Sequence, residues 1–359
     1  MGRQGIGIRD LARHLGLAVS TVSRAMNDRG DVSAATRKLV RDAALTLGYV
    51  PDQSGRSLRQ GTTNTIALTM RTDISRTAAG ETFFLALCGG LQPVLAAHDL
   101  DLVILPCGSV EEQERSLRRA VERRLADGFI ISDTQRHDSR IDFLIERGVP
   151  FVALGRSLSG GAHAWLDLDF AGVATQAVEH LAMLGHRRIA LGTTLRDVNH
   201  GHVFLEAYQA ALRHHGLPDD PALVLRVADT LEGSRDLADM LLAMPKPATA
   251  VILIQETMAI GLYERLGQAG LRPGRDLAVI GFRENQVVAH LDPALTCFRF
   301  SLREYGARLG EIMVGRIKAA DPSRPPVQEL WPMTLRPGGS DMRFDVEASV
   351  PHLRRDAAG

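Results

Sequence analysis

The sequence predicts a small all-α helix-turn-helix head followed by an α/β body of two doubly wound, parallel-sheet lobes. Short amphipathic helices separated by glycines fill residues 7–48, and basic charge is concentrated in the same region. From residue 64 onward, continuous apolar runs alternate with amphipathic helices, the pattern of parallel sheets covered on both faces. A length of 359 residues suits such a division, since domains hold roughly 100–200 residues.

The head contains three predicted helices. Gly7 and Ser33 stand where the first and third helices need N-cap residues, and Gly16 and Gly48 stand where those helices end in a left-handed residue. After Gly16 a second helix is expected at about 19–26, and the third at about 34–47. Helix, glycine turn and helix together are the arrangement that places a second helix in the DNA major groove.

The charge of the chain is divided between its parts. Lys+Arg and Asp+Glu are both 42, so the formal net charge is zero. Residues 1–64 nevertheless hold ten basic and five acidic residues, which gives the head +5 and leaves the remainder −5. Such asymmetry indicates a nucleic-acid or membrane partner for the basic part. No apolar run reaches the ~18 residues that a membrane span needs.

Several classes of protein are disfavoured. The start of the chain has no apolar signal segment, and the three cysteines are odd in number and far apart, so a cytoplasmic protein with reduced thiols is expected. Neither GxSxG, GxGxxG, a phosphate-binding P-loop nor HExxH occurs, and the histidines lack metal-ligand spacing. We therefore expect no enzyme activity, no cofactor and no metal.

The body contains seven apolar runs that predict strands, with seven helical patterns between them. The predicted strands are 66–70, 102–105, 129–131, 151–154, 189–191, 250–254 and 277–280, and the predicted helices are 83–97, 111–125, 141–147, 174–184, 204–215, 234–243 and 257–269. Seven such units exceed one small domain, so we expect two similar lobes that divide near residues 156–163. Ligands of two-lobed α/β proteins bind between the lobes, at the carboxyl ends of strands.

The second helix of the head has a face suited to reading base edges. That face carries Val19, Ser20, Thr21, Ser23, Arg24 and Asn27. Arg24 can bind guanine through two hydrogen bonds, and Val19 can contact a thymine methyl group. The alternative is a helical bundle with a solvated basic face, which the +5 charge of the head disfavours.

Four sequence blocks at fixed spacing resemble the LacI/GalR family of bacterial transcriptional regulators. They are ARHLGLAVSTVSRAMN, VSAATRKLVRDAALTLGYVP, RSLR and TNTIAL, and GFII, GVPFVALGR, HLAMLGHRRIAL, LAVIGF and PALT continue the likeness to about residue 340. The resemblance implies a DNA-binding head, a two-lobed sensor of the type I periplasmic-binding-protein-like fold, and a homodimer.

The resemblance also assigns roles and boundaries. It implies that Val19, Ser20 and Arg24 contact bases, and that backbone contacts come from Thr21, Ser23, Asn27, Ser33, Thr36 and Tyr49. It implies that Leu58 of a hinge helix inserts into the minor groove, unless this polar segment is only a linker. The expected divisions are a head at 1–51, a hinge at 52–64, a two-lobed body at 65–341 and a polar tail at 342–359. Within the body, the N-lobe is expected at about 65–160 plus 297–322 and the C-lobe at about 161–296 plus 323–341.

The resemblance places an effector pocket at Phe83, Arg156, Phe204, Gln255 and Arg283. Phe204 stands where the family commonly has an effector-binding arginine, and Arg283 stands where a carboxylate is usual. Two effector classes follow. One is an acidic sugar or other anion that pairs with Arg283, and the other is a neutral sugar or glycoside that stacks on Phe83 and Phe204.

The sequence therefore predicts a cytoplasmic, homodimeric repressor. It would bind a pseudo-palindromic operator in double-stranded DNA and respond to a small-molecule effector, a saccharide. The alternatives are an activator, a solute-binding protein of a sugar transporter, and an α/β enzyme such as a sugar kinase or dehydrogenase. The basic head disfavours the second alternative, and the lack of a phosphate-binding loop disfavours the third.

Overall fold

The computed structural model describes residues 6–26, 31–49, 62–72, 78–318 and 325–343. The chain forms two compact units, which divide between Thr63 and Asn64. The first unit is the head, and the second is the two-lobed body.

The head has three helices around its own apolar core. They are α1 (Ile8–Leu15), α2 (Val19–Met26) and α3 (Ala34–Leu47). The Asp10 carboxylate accepts a hydrogen bond from the Gly7 N–H, and the Ser33 hydroxyl accepts one from the Thr36 N–H at 3.1 Å. Gly16 ends α1 at φ 63°, a left-handed conformation that glycine adopts without a steric penalty. The predicted helices and their caps are thus confirmed. Their fully buried side chains include Leu11, Val22, Ala25 and Val40.

The body is built from twelve strands and eight helices within the described residues. The strands are β1 (Thr65–Arg71), β2 (Asp101–Cys107), β3 (Gly128–Ile131), β4 (Phe151–Leu154), β5 (Trp165–Leu168), β6 (Ile189–Thr194), β7 (Val224–Val227), β8 (Ala250–Leu253), β9 (Ala278–Arg283), β10 (Thr296–Arg299), β11 (Gln328–Trp331) and β12 (Thr334–Arg336). The helices are α4 (Ala78–Ala96), α5 (Val110–Glu122), α6 (Ser139–Glu146), α7 (Phe170–Met183), α8 (Asn199–His214), α9 (Leu231–Leu242), α10 (Met258–Gln268) and α11 (Leu302–Lys318).

Two six-stranded sheets define the lobes. The N-lobe sheet has the order β11-β5-β4-β3-β1-β2, and the C-lobe sheet has the order β12-β10-β9-β8-β6-β7. The two orders are the same path traced twice, with β6–β10 and β12 repeating the positions of β1–β5 and β11. Pairing is parallel except between β10 and β12, which run antiparallel at one edge. Strands such as β3 and β8 are buried at every residue, as central parallel strands are.

The boundaries between the lobes differ from the predicted ones. β5 pairs with β4 and belongs to the N-lobe, whereas the prediction assigns residues 161–168 to the C-lobe. β10 pairs with β9 in the C-lobe, whereas the prediction begins an N-lobe segment at residue 297. β11 pairs with β5 in the N-lobe, whereas the prediction assigns residues 323–341 to the C-lobe. The physical reason is that a strand belongs to the lobe whose sheet it hydrogen-bonds to. The position of these strands along the chain does not show which sheet that is. The chain therefore passes between the lobes after β5, β10 and β11.

A close helix pair covers one face of the N-lobe sheet. α4 and α11 approach so tightly at Gly90 and Gly306 that a Cβ on either glycine would lie about 2 Å from a backbone oxygen of the other helix. Only glycine permits that distance. The pair supports the pocket, because α4 carries Phe83 and α11 carries Tyr305, and both line the cavity described next.

Candidate effector cleft and DNA-binding face

A cavity of about 200 Å³ lies between the lobes of the body. It is lined by residues at or just after the carboxyl ends of parallel strands of both sheets and by residues of α4, α7, α8 and α11: Phe83, Phe84, Ser132, Asp133, Thr134, Leu154, Gly155, Arg156, Asp167, Leu168, Phe170, Arg196, His200, Ile254, Gln255, Glu256, Thr257, Phe282, Arg283 and Tyr305. The predicted location at the carboxyl ends of the strands is the observed one.

A buried arginine holds the N-lobe turn that follows β3. Arg140 is 3% exposed and donates to the main-chain oxygens of Ser132 and Asp133 at 3.1 and 3.2 Å. The same guanidinium donates to both carboxylate oxygens of Asp138, at 2.9 and 2.6 Å. Asp133 itself adopts φ 54°, a conformation that aspartate tolerates better than most residues. The hydrogen bonds from Arg140 therefore hold the main chain of this turn in place, and Asp133 lines the cavity.

Arg156 and Asp167 form a second charged group of the N-lobe. The Arg156 Nε donates to Asp167 Oδ2 at 2.8 Å, and the guanidinium lies over the Trp165 ring at 5.7 Å. Burial raises the pKa of the Asp167 carboxyl group, and the neighbouring Arg156 opposes that rise. Each residue therefore compensates the charge of the other, since either charge alone would be poorly solvated there.

Arg283 and Glu256 form the corresponding pair of the C-lobe. The Arg283 Nη2 lies 2.8 Å from Glu256 Oε1, and both side chains are more than 90% buried. Asn285 donates to the same carboxylate oxygen at 2.7 Å. Across the cleft, the Phe83 ring lies 5.1 Å from the Arg283 guanidinium carbon. The predicted C-lobe cation is thus neutralised within its own lobe and contacts an aromatic ring of the other.

Arg196 links the two lobes directly. It follows β6 of the C-lobe, and its Nη2 donates to Asp133 Oδ1 of the N-lobe at 2.7 Å. Its Nη1 lies 3.6 Å from Asp229 Oδ2 of its own lobe. The sequence prediction missed all three residues, because each stands in a polar loop without a motif.

Further hydrogen bonds join the lobes beside this ion pair. The Asn199 N–H donates to the Thr134 main-chain oxygen at 2.9 Å, and the Asn199 amide donates to the Arg156 main-chain oxygen at 2.8 Å. Arg136 pairs with Glu206 of α8 at 2.7 Å near the surface. The start of α8 is therefore docked on the N-lobe.

Aromatic rings form the C-lobe wall of the cavity. His200 stacks on Phe170 with ring centroids 4.8 Å apart, and Phe170 stacks on Phe282 at 4.8 Å with the rings almost parallel. Burial lowers the pKa of His200 to about 4, and the nearby Arg196 adds to that effect, so the imidazole is neutral near pH 7. This aromatic part of the wall is uncharged, and the charged residues Arg196, Glu256 and Arg283 of the same lobe also line the cavity.

Four of the five predicted pocket residues line the cavity, namely Phe83, Arg156, Gln255 and Arg283. Phe204 does not. It is fully buried and packs edge-to-face on Phe282 at 6.4 Å, so it supports the aromatic wall from behind. The prediction that an effector stacks on Phe204 is incompatible with this burial, because the ring has no exposed face.

The head presents α2 with the predicted polar face outward. Val19, Ser20 and Arg24 are exposed, and Thr21 and Ser23 are half-buried. The Arg24 guanidinium pairs with Asp31 at 3.1 Å, with both side chains more than half exposed. Such surface pairs contribute only about 0–1 kcal/mol, so Arg24 can exchange this partner readily.

The backbone-contact candidates fall on α3 and beside it. Ser33 and Thr36 lie at the start of α3, with their hydroxyl oxygens 2.8 Å apart. Tyr49 packs on the apolar core of the head just after α3. Asn27 and Leu58 lie outside the described residues.

No group of three or more His, Cys, Asp or Glu side chains suited to a metal occurs among the described residues. All three cysteines are free, and burial raises the pKa of each thiol. Within the ranges given above, no helix is long and apolar enough to cross a membrane.

Comparison with known proteins agrees with this architecture. Residues 7–52 match the family described as bacterial regulatory proteins, lacI family, and residues 178–340 match a periplasmic binding protein-like domain. The chain is 32% identical over 332 residues to the HTH-type transcriptional regulator AglR of Rhizobium meliloti (strain 1021), covering 91% of each. It is 30% identical over 341 residues to the regulator RafR of Escherichia coli, covering 93% of this chain and 98% of RafR.

Among solved structures, a complex of the transcriptional regulator CelR with cellobiose has a TM-score of 0.71 at 28% identity. That alignment covers 93% of this chain and 99% of the other. A lac repressor dimer bound to operator has a TM-score of 0.82 at 20% identity and shares the fold, over 94% of this chain and 100% of the other.

A helix-turn-helix head joined to a two-lobed body with an interlobe cavity defines a DNA-binding transcriptional regulator controlled by a small molecule. The chain belongs to the lacI family of bacterial regulatory proteins.

Proposed function

We propose that the effector of this regulator is a neutral sugar or glycoside bound between the lobes. The observation that carries this proposal is the charge balance of the cavity. Its three guanidiniums, Arg156, Arg196 and Arg283, each lie within 3 Å of a carboxylate, and the lining holds three carboxylates in all. An anion entering the cavity would have to displace a buried carboxylate from its partner, which is unfavourable.

The remaining polar atoms suit hydroxyl groups. Within the described chain, Asp133 Oδ2 and Arg156 Nη2 are buried and have no hydrogen-bond partner. One is an acceptor and the other a donor, and a sugar hydroxyl satisfies both kinds of atom. The rings of Phe83 and Phe170 add apolar faces, the usual complement of a few polar groups in a ligand site.

The relatives support the same class of ligand. CelR was solved with cellobiose, and another lacI-family regulator, 25% identical with a TM-score of 0.66, was solved with bound ribose. Both ligands are uncharged.

A thermal-shift experiment on the full chain tests the proposal against the acidic-sugar alternative. Glucose and glucuronic acid, or galactose and galacturonic acid, differ only at C6 and form matched pairs. We expect neutral members or their glycosides to raise the unfolding midpoint, because a ligand that binds only the native state stabilises it. A rise with the acids alone would refute the neutral assignment.

On the DNA side, we propose that Val19, Ser20 and Arg24 contact bases of a pseudo-palindromic operator and that Thr21, Ser23, Asn27, Ser33, Thr36 and Tyr49 contact the backbone, with Leu58 inserted in the minor groove. The exposure of the α2 face supports this assignment. Binding to DNA upstream of the gene should weaken steeply as salt rises, since phosphate contacts release counterions. Binding that ignores salt would contradict it.

We further propose a cytoplasmic homodimer that represses transcription. The Escherichia coli relative CytR, 28% identical over 80% of this chain, is named a repressor. In the N-lobe, Leu85 of α4 and Ile104 of β2 are 68% and 37% exposed, and we propose that they take part in the dimer contact. A reporter gene behind the operator distinguishes repressor from activator, because deletion of the regulator raises expression only in the first case.

A further inference from the structure

Asp133 has two carboxylate oxygens in different situations. Oδ1 accepts from Arg196 of the opposite lobe at 2.7 Å, while Oδ2 is buried and has no hydrogen-bond partner among the described residues. The positive φ of Asp133 and the buried Arg140 beneath it fix the direction of this side chain. Asp133 thus lines the ligand cavity and also pairs with the other lobe.

Arg196 has two carboxylates within reach. Asp133 lies across the cleft, and Asp229 lies 3.6 Å away in the C-lobe itself, where Gln255 also donates to Asp229 Oδ2 at 3.4 Å. If the lobes separate, Arg196 loses Asp133 but keeps a carboxylate beside it. The charge is therefore compensated in both arrangements, which avoids the large penalty of leaving a buried ion alone.

We infer that Asp133, Arg196 and Asp229 form an interlobe switch that couples effector binding to lobe closure. In the closed arrangement, Asp133 binds a hydroxyl group of the effector through Oδ2 and Arg196 through Oδ1. In the open arrangement, Arg196 pairs with Asp229. The effector favours closure because its hydroxyl completes the Asp133 site, and only a ligand that distinguishes two states can shift their balance. Only the part of this inference that concerns effector binding, its ligand half, rests on the proposed neutral effector; the exchange of ion partners by Arg196 does not.

The switch predicts opposite effects for two equivalent substitutions. Asp133→Asn removes the charge of the interlobe partner, whereas Asp229→Asn removes the charge of the competing one. Asparagine also tolerates the positive φ at position 133, so the turn is preserved. The first variant should open the cleft and the second should close it. A residue that served only general stability would not produce opposite signs.

Lobe opening can be measured without any ligand. The Asn199 N–H donates across the cleft to Thr134, so its hydrogen exchange reports opening. We expect the Asn199 amide to exchange faster in Asp133→Asn and in Arg196→Gln, and more slowly in Asp229→Asn. Asp239→Asn breaks a surface ion pair within the C-lobe and is the matched control, with no change expected. Equal rates in all variants, or shifts of the same sign at 133 and 229, would overturn the switch.

The ligand half is tested with cellobiose and the neutral sugars of the thermal-shift screen. Asp133→Asn should weaken binding about ten- to hundredfold, the range for a hydrogen bond to a charged group. Asp229→Asn should tighten it, because the competent state becomes more populated. If no neutral sugar binds the wild type, the proposed function fails while the exchange experiment still decides the switch. If sugars bind both variants as they bind the wild type, the assignment of Asp133 is wrong.

Discussion

The Arg283–Glu256 pair offers a direct test of why the cavity excludes anions. Glu256→Gln removes one carboxylate charge while keeping size and an acceptor oxygen. The Arg283 guanidinium then loses the carboxylate that lies 2.8 Å from its Nη2. Both the Arg283 and the Glu256 side chains are more than 90% buried at this site. The cavity lining acquires a net positive charge.

The expected loss of stability follows from the burial. Breaking a buried ion pair by removing one partner costs about 3–5 kcal/mol. The lower end applies here, because glutamine still accepts a hydrogen bond and the Phe83 ring remains 5.1 Å from the guanidinium. We therefore expect about 3 kcal/mol, which lowers the unfolding midpoint of the body by several degrees.

The assay is thermal unfolding of the variant with and without matched neutral and acidic sugars. Glucuronic or galacturonic acid should stabilise Glu256→Gln while leaving the wild type unaffected, because the anion now supplies the missing charge. Glu264→Gln is the matched control, since it breaks a surface pair with Arg235 that contributes only about 0–1 kcal/mol. A Glu256→Gln protein as stable as the wild type, or one that still rejects acids, would refute the reasoning.

Three further predictions concern other parts of the chain. Arg24→Ala should weaken operator binding in a fluorescence anisotropy assay by about 1–3 kcal/mol with unchanged helix content, and an equal loss on nonspecific DNA would argue against base readout. Burial holds the pKa of His200 at about 4 in the folded protein, below the ordinary histidine value of 6.5 that applies to the unfolded chain. The folded state therefore binds fewer protons, so a stability contribution of up to about 3 kcal/mol is complete above pH 6.5 and is lost as pH falls toward 4. His200→Gln should remove that part of the midpoint change between pH 7 and pH 5, and identical pH profiles would exclude the effect. Ile104→Asp should place a charge in the proposed dimer contact and yield monomers by light scattering, whereas a dimer of unchanged mass would move the contact elsewhere.

Much of the fold could be predicted from residue patterns, because the central strands are continuous apolar runs and the head helices carry their own caps. The prediction omitted β5, β7, β10, β11, β12 and α11, and β5, β11 and β12 lack such signals. β5 reads Trp-Leu-Asp-Leu, with Asp167 required by Arg156, and β11 and β12 are short edge strands with exposed residues. An edge strand of this kind forms because it pairs with a strand far away in the sequence, and the local residue pattern does not reveal that pairing.

The location of the site could be predicted from the sequence, but the ion pairs and packing contacts of its side chains could not. The loops after parallel strands were expected to meet, and they do. The sequence could not show that Arg283 is neutralised by Glu256, or that Phe204 faces the core. Arg196 supplies a cation from the loop after β6, eight residues before the position where the resemblance implies one. Which side chains of a polar loop face a cavity depends on tertiary packing, and local sequence does not encode it.

The interleaved path of the chain also constrains its synthesis. The head has its own core within residues 6–49, so it is able to fold as soon as it leaves the ribosome. The N-lobe has to wait for β11, Gln328–Trp331, which emerges when more than nine-tenths of the protein has been translated. A nascent or prematurely terminated chain would therefore carry a folded DNA-binding head on an unfinished sensor, and would have no means of answering the effector.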